Sequence, residues 1–288
     1  MIRYRLLSAA ILIPFVLGLT YLGGIWFLGL ALLALALAGR EYANLLKRED
    51  GGPSAVFVVG TIWVFVLDAH FPDWHLLRPG LTLCVLGMLT WAVVRYEGGH
   101  KSVVPDWAWT AAGSLYLGWI GAHFVLVRDL GVPSQVNLFA PAQGEGLWWT
   151  TLALAVAWLA DTGAYLVGHA WGRNKMSPHV SPLKTWEGYA GGIALATVSG
   201  VVVAVLIRIM APFLGEATRI SVWDGLALGL LISVLAPLGD LGESMIKRHV
   251  GAKDSGHLIP GHGGMFDRVD SLLWAAVIAF YYATWIVR

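Results

Sequence analysis

Four polar residues recur at helical spacing inside an otherwise apolar stretch of this 288-residue chain. They are Asp240, Glu243, Ser244 and Lys247, at positions i, i+3, i+4 and i+7, which share one face of a helix. Ionisable side chains in a membrane helix mark functional sites by default, because they must face protein or a water-filled cavity. Grouped carboxylates are typical ligands of a hard divalent cation that also binds phosphate oxygens, usually Mg2+. The pattern therefore predicts a helix face that binds metal and phosphate.

A glycine-rich turn follows this face and opens the last apolar segment of the chain. Its glycines, Gly263 and Gly264 among them, allow backbone N–H groups to cradle phosphate oxygens, and the helix N-terminus beyond them is itself an anion site. His262, within the turn, is predicted to contact phosphate. Asp267 is predicted to be a metal ligand. Asp270 is explained as well by the usual preference for acidic residues in the first turn of a helix.

Two more acidic residues lie inside apolar runs. Asp161 lies well within its run, where a purely structural aspartate would need a buried partner, so we predict a functional role for it. Glu41 directly follows Arg40 near the end of the second run. An ion pair at the membrane interface explains Glu41 at least as well as a role in a site.

A second polar loop, 171–187, contains further groups suited to phosphate. Ser181, Thr185 and backbone amides are predicted to bind phosphate oxygens, and Lys184 supplies positive charge. The alternative is that the basic residues of this loop bind anionic lipid headgroups. That alternative accounts for the lysines but leaves the Ser-Pro and Thr-Trp-Glu-Gly sequences of the loop without a reason.

Composition identifies the scaffold that must position these residues. Hydrophobic residues make up 57% of the chain and charged residues 13%, about half of the roughly 25% usual in soluble proteins. Apolar runs of about 20 residues, enough to cross a bilayer core, recur along the whole chain. The sequence therefore predicts an all-α polytopic integral membrane protein. Its net charge of +1 argues against nucleic acid as a partner.

Nine transmembrane helices are predicted, with the N-terminus cytoplasmic and the C-terminus external, at about 5–22, 24–46, 54–71, 76–95, 108–129, 147–170, 188–212, 222–247 and 268–287. This orientation places 14 of the 19 basic residues on the cytoplasmic side, where membrane proteins concentrate them. The chain is then a single membrane domain, 1–288, with variable N-terminal spans in 1–130 and catalytic spans in 147–288. The polar loops 171–187 and 248–267 both fall on the cytoplasmic side.

The spacing of the polar residues in the second half of the chain matches a known pattern. The arrangement Ser244-x-x-Lys247-Arg248, four residues, Lys253-Asp254-x-Gly256, then His262-Gly263-Gly264-x-x-Asp267-Arg268-x-Asp270 resembles the signature of the phosphatidate cytidylyltransferases (CDP-diacylglycerol synthases) at every fixed position. Asp161 and the run 181–188 are similar to further motifs of that family. The motifs lie within 161–271, and the N-terminal spans match only in being hydrophobic.

The resemblance implies a multi-pass enzyme of the cell membrane that transfers CMP from CTP to phosphatidic acid, giving CDP-diacylglycerol and pyrophosphate in phospholipid biosynthesis. It implies Mg2+ bound by Asp240 and Asp267, and leaves open a second cation. CTP, phosphatidic acid and the bilayer are the expected partners, and pairing into a homodimer is left open. The residues expected to act in catalysis are Asp161, Lys184, Ser244, Lys247, Arg248 and Arg268, and those expected to bind substrate are Ser181, Thr185, Lys253, His262, Gly263 and Gly264.

Two other functions have features in common with this sequence. A membrane enzyme acting on an archaeal-type ether lipid or on a polyprenol would share the polar segment 240–271. A secondary transporter would also carry intramembrane carboxylates and glycine-broken helices, but it would place paired motifs in its two halves. Nearly all of the polar signal here lies in the second half, which argues against a transporter.

Overall fold

The computed structural model describes residues 2–132, 144–214, 218–256, 258 and 263–287, with the backbone alone for residues 2–9. The N-terminal half contains α1 (Ile2–Leu22), α2 (Gly24–Leu45), α3 (Ala55–His70), a 3-10 turn (Pro72–Trp74), α4 (Leu77–Glu97), α5 (Val103–Gly113), a π-helical segment (Ser114–Ile120) and α6 (His123–Arg128). The C-terminal half contains α7 (Glu145–Trp171), β1 (Lys175–Ser177), β2 (Ser181–Thr185), α8 (Trp186–Phe213), α9 (Val222–Leu235), α10 (Pro237–His249) and α11 (Phe266–Trp285).

The helical membrane architecture agrees with the prediction from composition. A helix, or two or three consecutive helical segments, lies over each of the nine predicted ranges. Within the described residues, six segments are long and apolar enough to cross a membrane: Gly24–Leu45, Leu77–Glu97, Val103–Arg128, Glu145–Trp171, Trp186–Phe213 and Val222–His249. A helix suits this setting because it satisfies its backbone hydrogen bonds internally. Nine crossings and the direction of the termini stay predictions.

The eighth predicted span is two helices rather than one. α9 ends at Leu235 and α10 begins at Pro237, with Ala236 between them. Proline has no backbone N–H to donate, so it is tolerated at the first position of a helix but interrupts a continuous one. The break makes α10 a separate helix, and α10 carries the polar face predicted from the sequence.

The polar loop 171–187 folds into a β-hairpin that the sequence analysis did not predict. Strands β1 and β2 pair antiparallel, with Lys175 opposite Thr185 and Ser177 opposite Ser181. The Glu187 carboxylate accepts a hydrogen bond from the Asn174 N–H at 3.1 Å and fastens the start of the hairpin to α8. The loop is therefore an ordered element with a defined direction for its side chains.

Small residues allow α7, α8 and α9 to pack backbone to backbone. A methyl group added at Gly163 of α7 would lie 2.8 Å from the Gly191 carbonyl oxygen of α8. One added at Gly200 of α8 would overlap the Gly225 carbonyl oxygen of α9. Close approach through small residues is the usual way that membrane helices associate, because lipid provides no hydrophobic drive between them. These three helices form a closely packed unit, and the hairpin connects α7 to α8 within it.

The last helix joins the two halves of the protein. Phe266, Val269 and Leu273 of α11 belong to a buried apolar cluster with residues of α2, α3 and the π-helical segment. Ala275 and Ala279, further along α11, belong to a second cluster built mainly from α7, α8 and α9. The N-terminal helices are therefore packed against the helix that carries the predicted site residues.

Contacts between distant segments sort the helix ends into two groups. At one end, Ser255 contacts Glu41 at the end of α2, and Arg248 at the end of α10 donates to the Val180 carbonyl oxygen of the hairpin. The opposite end carries the pairs His70–Asp129 and Arg219–Glu145. The segments predicted to be cytoplasmic thus lie together at one end of the bundle.

Candidate functional site

Three carboxylates from two helices converge beside the break between α9 and α10. Asp240 and Glu243 come from α10 and Asp270 comes from the first turns of α11, and one oxygen from each lies within 4.8 Å of the others. The two helices approach closely at Gly239, where an added methyl group would overlap the Asp270 carbonyl oxygen. Three acidic groups held so close together repel one another when they are ionised, so positive charge nearby would stabilise them.

Protein cations supply only part of this charge. Glu243 is 1% exposed, and its Oε2 lies 2.7 Å from Lys247 Nζ. Its second oxygen, Oε1, is buried and has no hydrogen-bond partner in the described part of the chain. A buried carboxylate oxygen without a partner carries a large desolvation penalty, which a bound cation would offset. Three carboxylates are also the oxygen donors that hard divalent cations prefer, so this cluster fits a metal ion.

Asp240 links the carboxylate cluster to the hairpin. Its Oδ2 lies 2.6 Å from Nζ of Lys184 on β2, and its Oδ1 accepts a hydrogen bond of 3.2 Å from Ser244 Oγ. The structure therefore brings together Asp240, Lys184 and Ser244, which the sequence analysis predicted to act at one site from positions far apart in the chain.

Asp267 lies outside the group of three carboxylates. Its Oδ1 is 2.6 Å from Lys247 Nζ. Its Oδ2 accepts hydrogen bonds from the Gly264 N–H at 2.8 Å and from the N–H and Oγ of Ser255 at 3.0 and 2.9 Å. Protein donors thus engage both oxygens, and Lys247 connects Asp267 to Glu243. Metal binding by Asp267 stays a prediction.

A cavity of about 520 Å³ borders the site. It is lined by α7, the hairpin, α8 and the α9–α10 break, and its polar lining includes Asp161, Lys184, Thr185 and Asp240 together with His169, Lys175 and Ser233. Apolar and aromatic side chains, including Leu183 and Tyr165, also line it. Asp161, predicted from its depth in an apolar run, is exposed toward this space. The cavity thus combines a polar wall beside the carboxylates with apolar walls beside the membrane helices.

Thr185 and Arg248 have structural contacts in addition to their predicted roles. Thr185 is the N-cap of α8, where its hydroxyl accepts a hydrogen bond of 3.1 Å from the Gly188 N–H. Arg248 donates to the Val180 carbonyl oxygen at 3.3 Å and to that of Ala252 at 3.0 Å, which ties the hairpin to the end of α10.

The structure gives fewer contacts for the other residues predicted from the sequence. Lys253 and Arg268 are exposed, and neither side chain forms a hydrogen bond or an ion pair with the residues that the structure describes. Ser181 opens β2 and is half-buried. Gly263 has a φ of 80°, a left-handed conformation that favours glycine. His262 lies outside the described residues.

Several site residues were not selected from the sequence. Glu243 was recognised as part of the helix face but was not chosen as a ligand, and Asp270 was explained as well by helix-start preference. For Glu41 the sequence offered an interfacial ion pair as at least as good an explanation as a role in a site, and nothing in the sequence singled out Ser255. In the structure Glu41 accepts hydrogen bonds from Ser255 Oγ and from the Phe266 N–H. No local pattern could have indicated this, because the partners are 214 and 225 residues away.

Comparison with known proteins gives one consistent result. The sequence model of the cytidylyltransferase family matches residues 3–286. A phosphatidate cytidylyltransferase of Brucella suis is 33% identical over 98% of this chain and 93% of its own length. One from Synechocystis is 31% identical over 96% and 95%, and one from Staphylococcus aureus is 30% identical over 94% and 95%. The similarity includes the N-terminal helices as well as the segment that carries the motifs.

Proposed function

Because this chain belongs to the cytidylyltransferase family, matched from residue 3 to residue 286, we propose that it is a phosphatidate cytidylyltransferase. It transfers CMP from CTP to phosphatidic acid and releases pyrophosphate, forming CDP-diacylglycerol for phospholipid synthesis. One observation carries the proposal: Asp240 belongs both to the carboxylate cluster and to the lining of the cavity with apolar walls. A lipid phosphate in that cavity would lie beside the carboxylate cluster, which is suited to a metal-bound nucleoside triphosphate.

The carboxylate cluster is the proposed Mg2+ site. Asp240, Glu243 and Asp270 would hold the ion, and Asp267 remains a candidate ligand. When bound, Mg2+ supplies charge neutralisation for the phosphates of CTP and for the departing pyrophosphate. The unpartnered oxygen of Glu243 supports a cation here, because no described protein donor satisfies it.

The basic residues would bind and orient the phosphates. Lys184 reaches from the hairpin to Asp240, at the boundary between the cavity and the carboxylate cluster. The side chains of Arg268 and Lys253 are exposed and make no competing ion pair among the described residues, so their charges are available to the triphosphate. The lipid phosphate is already ionised, so its attack on the α-phosphorus of CTP needs no strong general base. Catalysis then depends on positioning and on charge stabilisation.

The lipid would enter from the membrane side of the cavity. Tyr165 and Leu183 both line the cavity and are 69% and 85% exposed, so they present apolar surface next to the polar wall. Acyl chains would pack along this surface while the phosphate reaches Lys184. The same arrangement would serve an ether lipid, and comparison of lipid phosphates distinguishes these substrates. Pairing into a homodimer stays a prediction.

The site is proposed to face the cytoplasm. The predicted cytoplasmic loops share one end of the bundle, and the predicted orientation puts 14 of the 19 Lys and Arg residues on the cytoplasmic side. A reporter that is active only in the cytoplasm, fused after residue 288, is expected to be inactive, while the same reporter inserted at Gly99, an exposed turn at the site end of α4, is expected to be active. Activity from the C-terminal fusion would contradict the orientation.

The function is tested by release of pyrophosphate from CTP in detergent–lipid micelles. Release is expected only with phosphatidic acid and Mg2+ present, and the lipid product should contain cytidine. Chelation of Mg2+ should abolish the reaction, and added Mg2+ should restore it. A purified, folded protein that releases no pyrophosphate would rule out the proposed activity, and a preference for another lipid phosphate would correct the substrate. Transport of solute without this reaction would favour a transporter instead.

A further inference from the structure

Glu41, near the end of α2, contacts the loop that leads into α11. Its Oε2 accepts a hydrogen bond of 3.2 Å from Ser255 Oγ and one of 2.9 Å from the Phe266 N–H. Glu41 makes no ion pair with Arg40, although both residues lie in the described part of the chain. The interfacial ion pair that the sequence allowed is therefore absent, and the carboxylate points to the site instead.

The two consecutive residues Glu41 and Tyr42 hold the first residue of α11. Glu41 accepts from the backbone of Phe266, and the ring of Tyr42 packs edge-on against the Phe266 ring, with centroids 5.9 Å apart. Phe266 is fully buried. The N-cap position of α11, Met265, provides no side-chain hydrogen bond. The first N–H groups of a helix need acceptors, and a negative charge is favourable there. Glu41 supplies both from another helix.

The loop backbone closes tightly around the Glu41 carboxylate. A methyl group added at Gly256 would lie 2.8 Å from Oε1, and one added at Gly264 would overlap Oε2. A larger residue at either position would displace the Glu41 carboxylate from its present place. This gives Gly264 a role in addition to the phosphate contact predicted from the sequence.

Hydrogen bonds and ion pairs connect Glu41 to the carboxylate cluster. The Ser255 N–H donates to Asp267 Oδ2 at 3.0 Å, and the single proton of its hydroxyl is shared between Glu41 Oε2 at 3.2 Å and Asp267 Oδ2 at 2.9 Å. Asp267 pairs with Lys247, and Lys247 pairs with Glu243. The chain of contacts begins in the N-terminal half and ends at the proposed metal site.

We propose that Glu41 is a positioning residue of the cytidylyltransferase site: it fixes Ser255 and the start of α11, and through them sets the orientation of Asp267 and Lys247. The inference rests on the proposed function. It assigns the N-terminal helices a direct part in organising the site, beyond anchoring the protein in the membrane. Glu41 itself is not required to touch either substrate.

Substitution of Glu41 separates its role as an acceptor from its charge. Glu41→Leu removes the acceptor and is expected to lower kcat about tenfold or more, the scale of a lost hydrogen bond to a charged group. Glu41→Gln keeps a carbonyl oxygen that can accept both hydrogen bonds, so its kcat should stay within about threefold of wild type. The KM for phosphatidic acid should change little in both variants, because the cavity is lined by other helices. Glu49→Leu, at an exposed position, is the matched control.

Amide hydrogen exchange tests the same inference without an activity assay. In Glu41→Leu, exchange should accelerate in the peptide 264–272. It should stay at the wild-type rate in α8, which serves as a control for the integrity of the overall fold. Ser255→Ala leaves the charge of Glu41 intact but removes the hydroxyl link to Asp267, and a loss of kcat between those of the Gln and Leu variants is expected.

Several outcomes would overturn the positioning role. These are wild-type kcat and exchange in Glu41→Leu, equal losses in the folded Leu and Gln variants, or wild-type kcat in Ser255→Ala. If Glu41→Leu does not fold, the kcat values of Glu41→Gln and Ser255→Ala test the positioning role instead. An inactive wild-type protein would instead contradict the proposed function, and the exchange measurement would still test whether Glu41 positions α11.

Discussion

Replacing Asp240 with asparagine is expected to lower kcat for CMP transfer by about 100-fold or more, which is several kcal/mol of transition-state stabilisation. Asp240 has three roles at once: it belongs to the carboxylate cluster, pairs with Lys184 at 2.6 Å and lines the cavity. Asparagine retains the shape of the side chain but removes the charge that holds Lys184 and would bind Mg2+. Steady-state kinetics with CTP and phosphatidic acid measure the loss.

Mn2+ binding provides a second measurement on the same variant. The electron spin resonance signal of free Mn2+ falls as the ion binds. Asp240→Asn should raise the Mn2+ concentration at which half of the protein has bound the ion. Asp73→Asn is the matched control, because Asp73 is exposed in the turn between α3 and α4 and is far from the site end. Full activity and unchanged Mn2+ affinity in a folded Asp240→Asn protein would remove Asp240 from the proposed metal site. The same titration with Asp267→Asn and Asp270→Asn tests which of the two binds the ion: Asp267, which the sequence predicts, or Asp270, which lies in the carboxylate cluster.

Replacing Lys247 with methionine is expected to lower the free energy of unfolding by about 3–5 kcal/mol, the usual effect of removing one partner from a buried ion pair. Lys247 is 8% exposed and lies within 2.7 Å of both Glu243 and Asp267. Methionine fills similar space but leaves these two buried carboxylates without their counter-charge. Thermal unfolding in detergent measures the change, and CMP transfer should be lost as well.

A second substitution checks the reason for this loss of stability. Glu243→Gln in the Lys247→Met background removes one of the unbalanced charges, so part of the stability should return. Lys101→Met, at an exposed position outside the site, should unfold at the wild-type temperature. If Lys247→Met alone unfolds at the wild-type temperature, the interaction of Lys247 with the two carboxylates contributes little to stability.

The helical membrane architecture could be predicted from the sequence because it depends on local properties. Apolar runs of about 20 residues need to form helices in lipid, whatever they pack against. The same applies to the polar face of α10: the spacing of Asp240, Glu243, Ser244 and Lys247 puts them on one side of any helix. The hairpin within 171–187 could not be predicted, because two short strands with the pairs Ser177-Pro178 and Ser181-Pro182 at their turn ends carry no clear periodic signal.

The sequence does not specify which acidic residues form the carboxylate cluster, because that depends on how the helices pack. Asp267 lies in the first turn of α11 and Asp270 lies three residues further on, and the sequence alone does not tell which of them faces α10. The close contact at Gly239 turns Asp270 toward Asp240 and Glu243, whereas Asp267 accepts hydrogen bonds from Ser255 and the Gly264 N–H. Helix spacing specifies which residues share a face, but the packing of two helices determines which face meets the other.

The class of the protein, the polar segment 240–271 and the residue types available for phosphate and metal chemistry follow from composition or from spacing along one helix, so all three can be predicted from the sequence. The contact between Lys184 and Asp240, and the cap that Glu41 of the N-terminal half provides for α11, appear only in the folded protein. Both contacts join residues far apart in the chain. They depend on how helices pack at one end of the bundle, and no local pattern of residues encodes that arrangement.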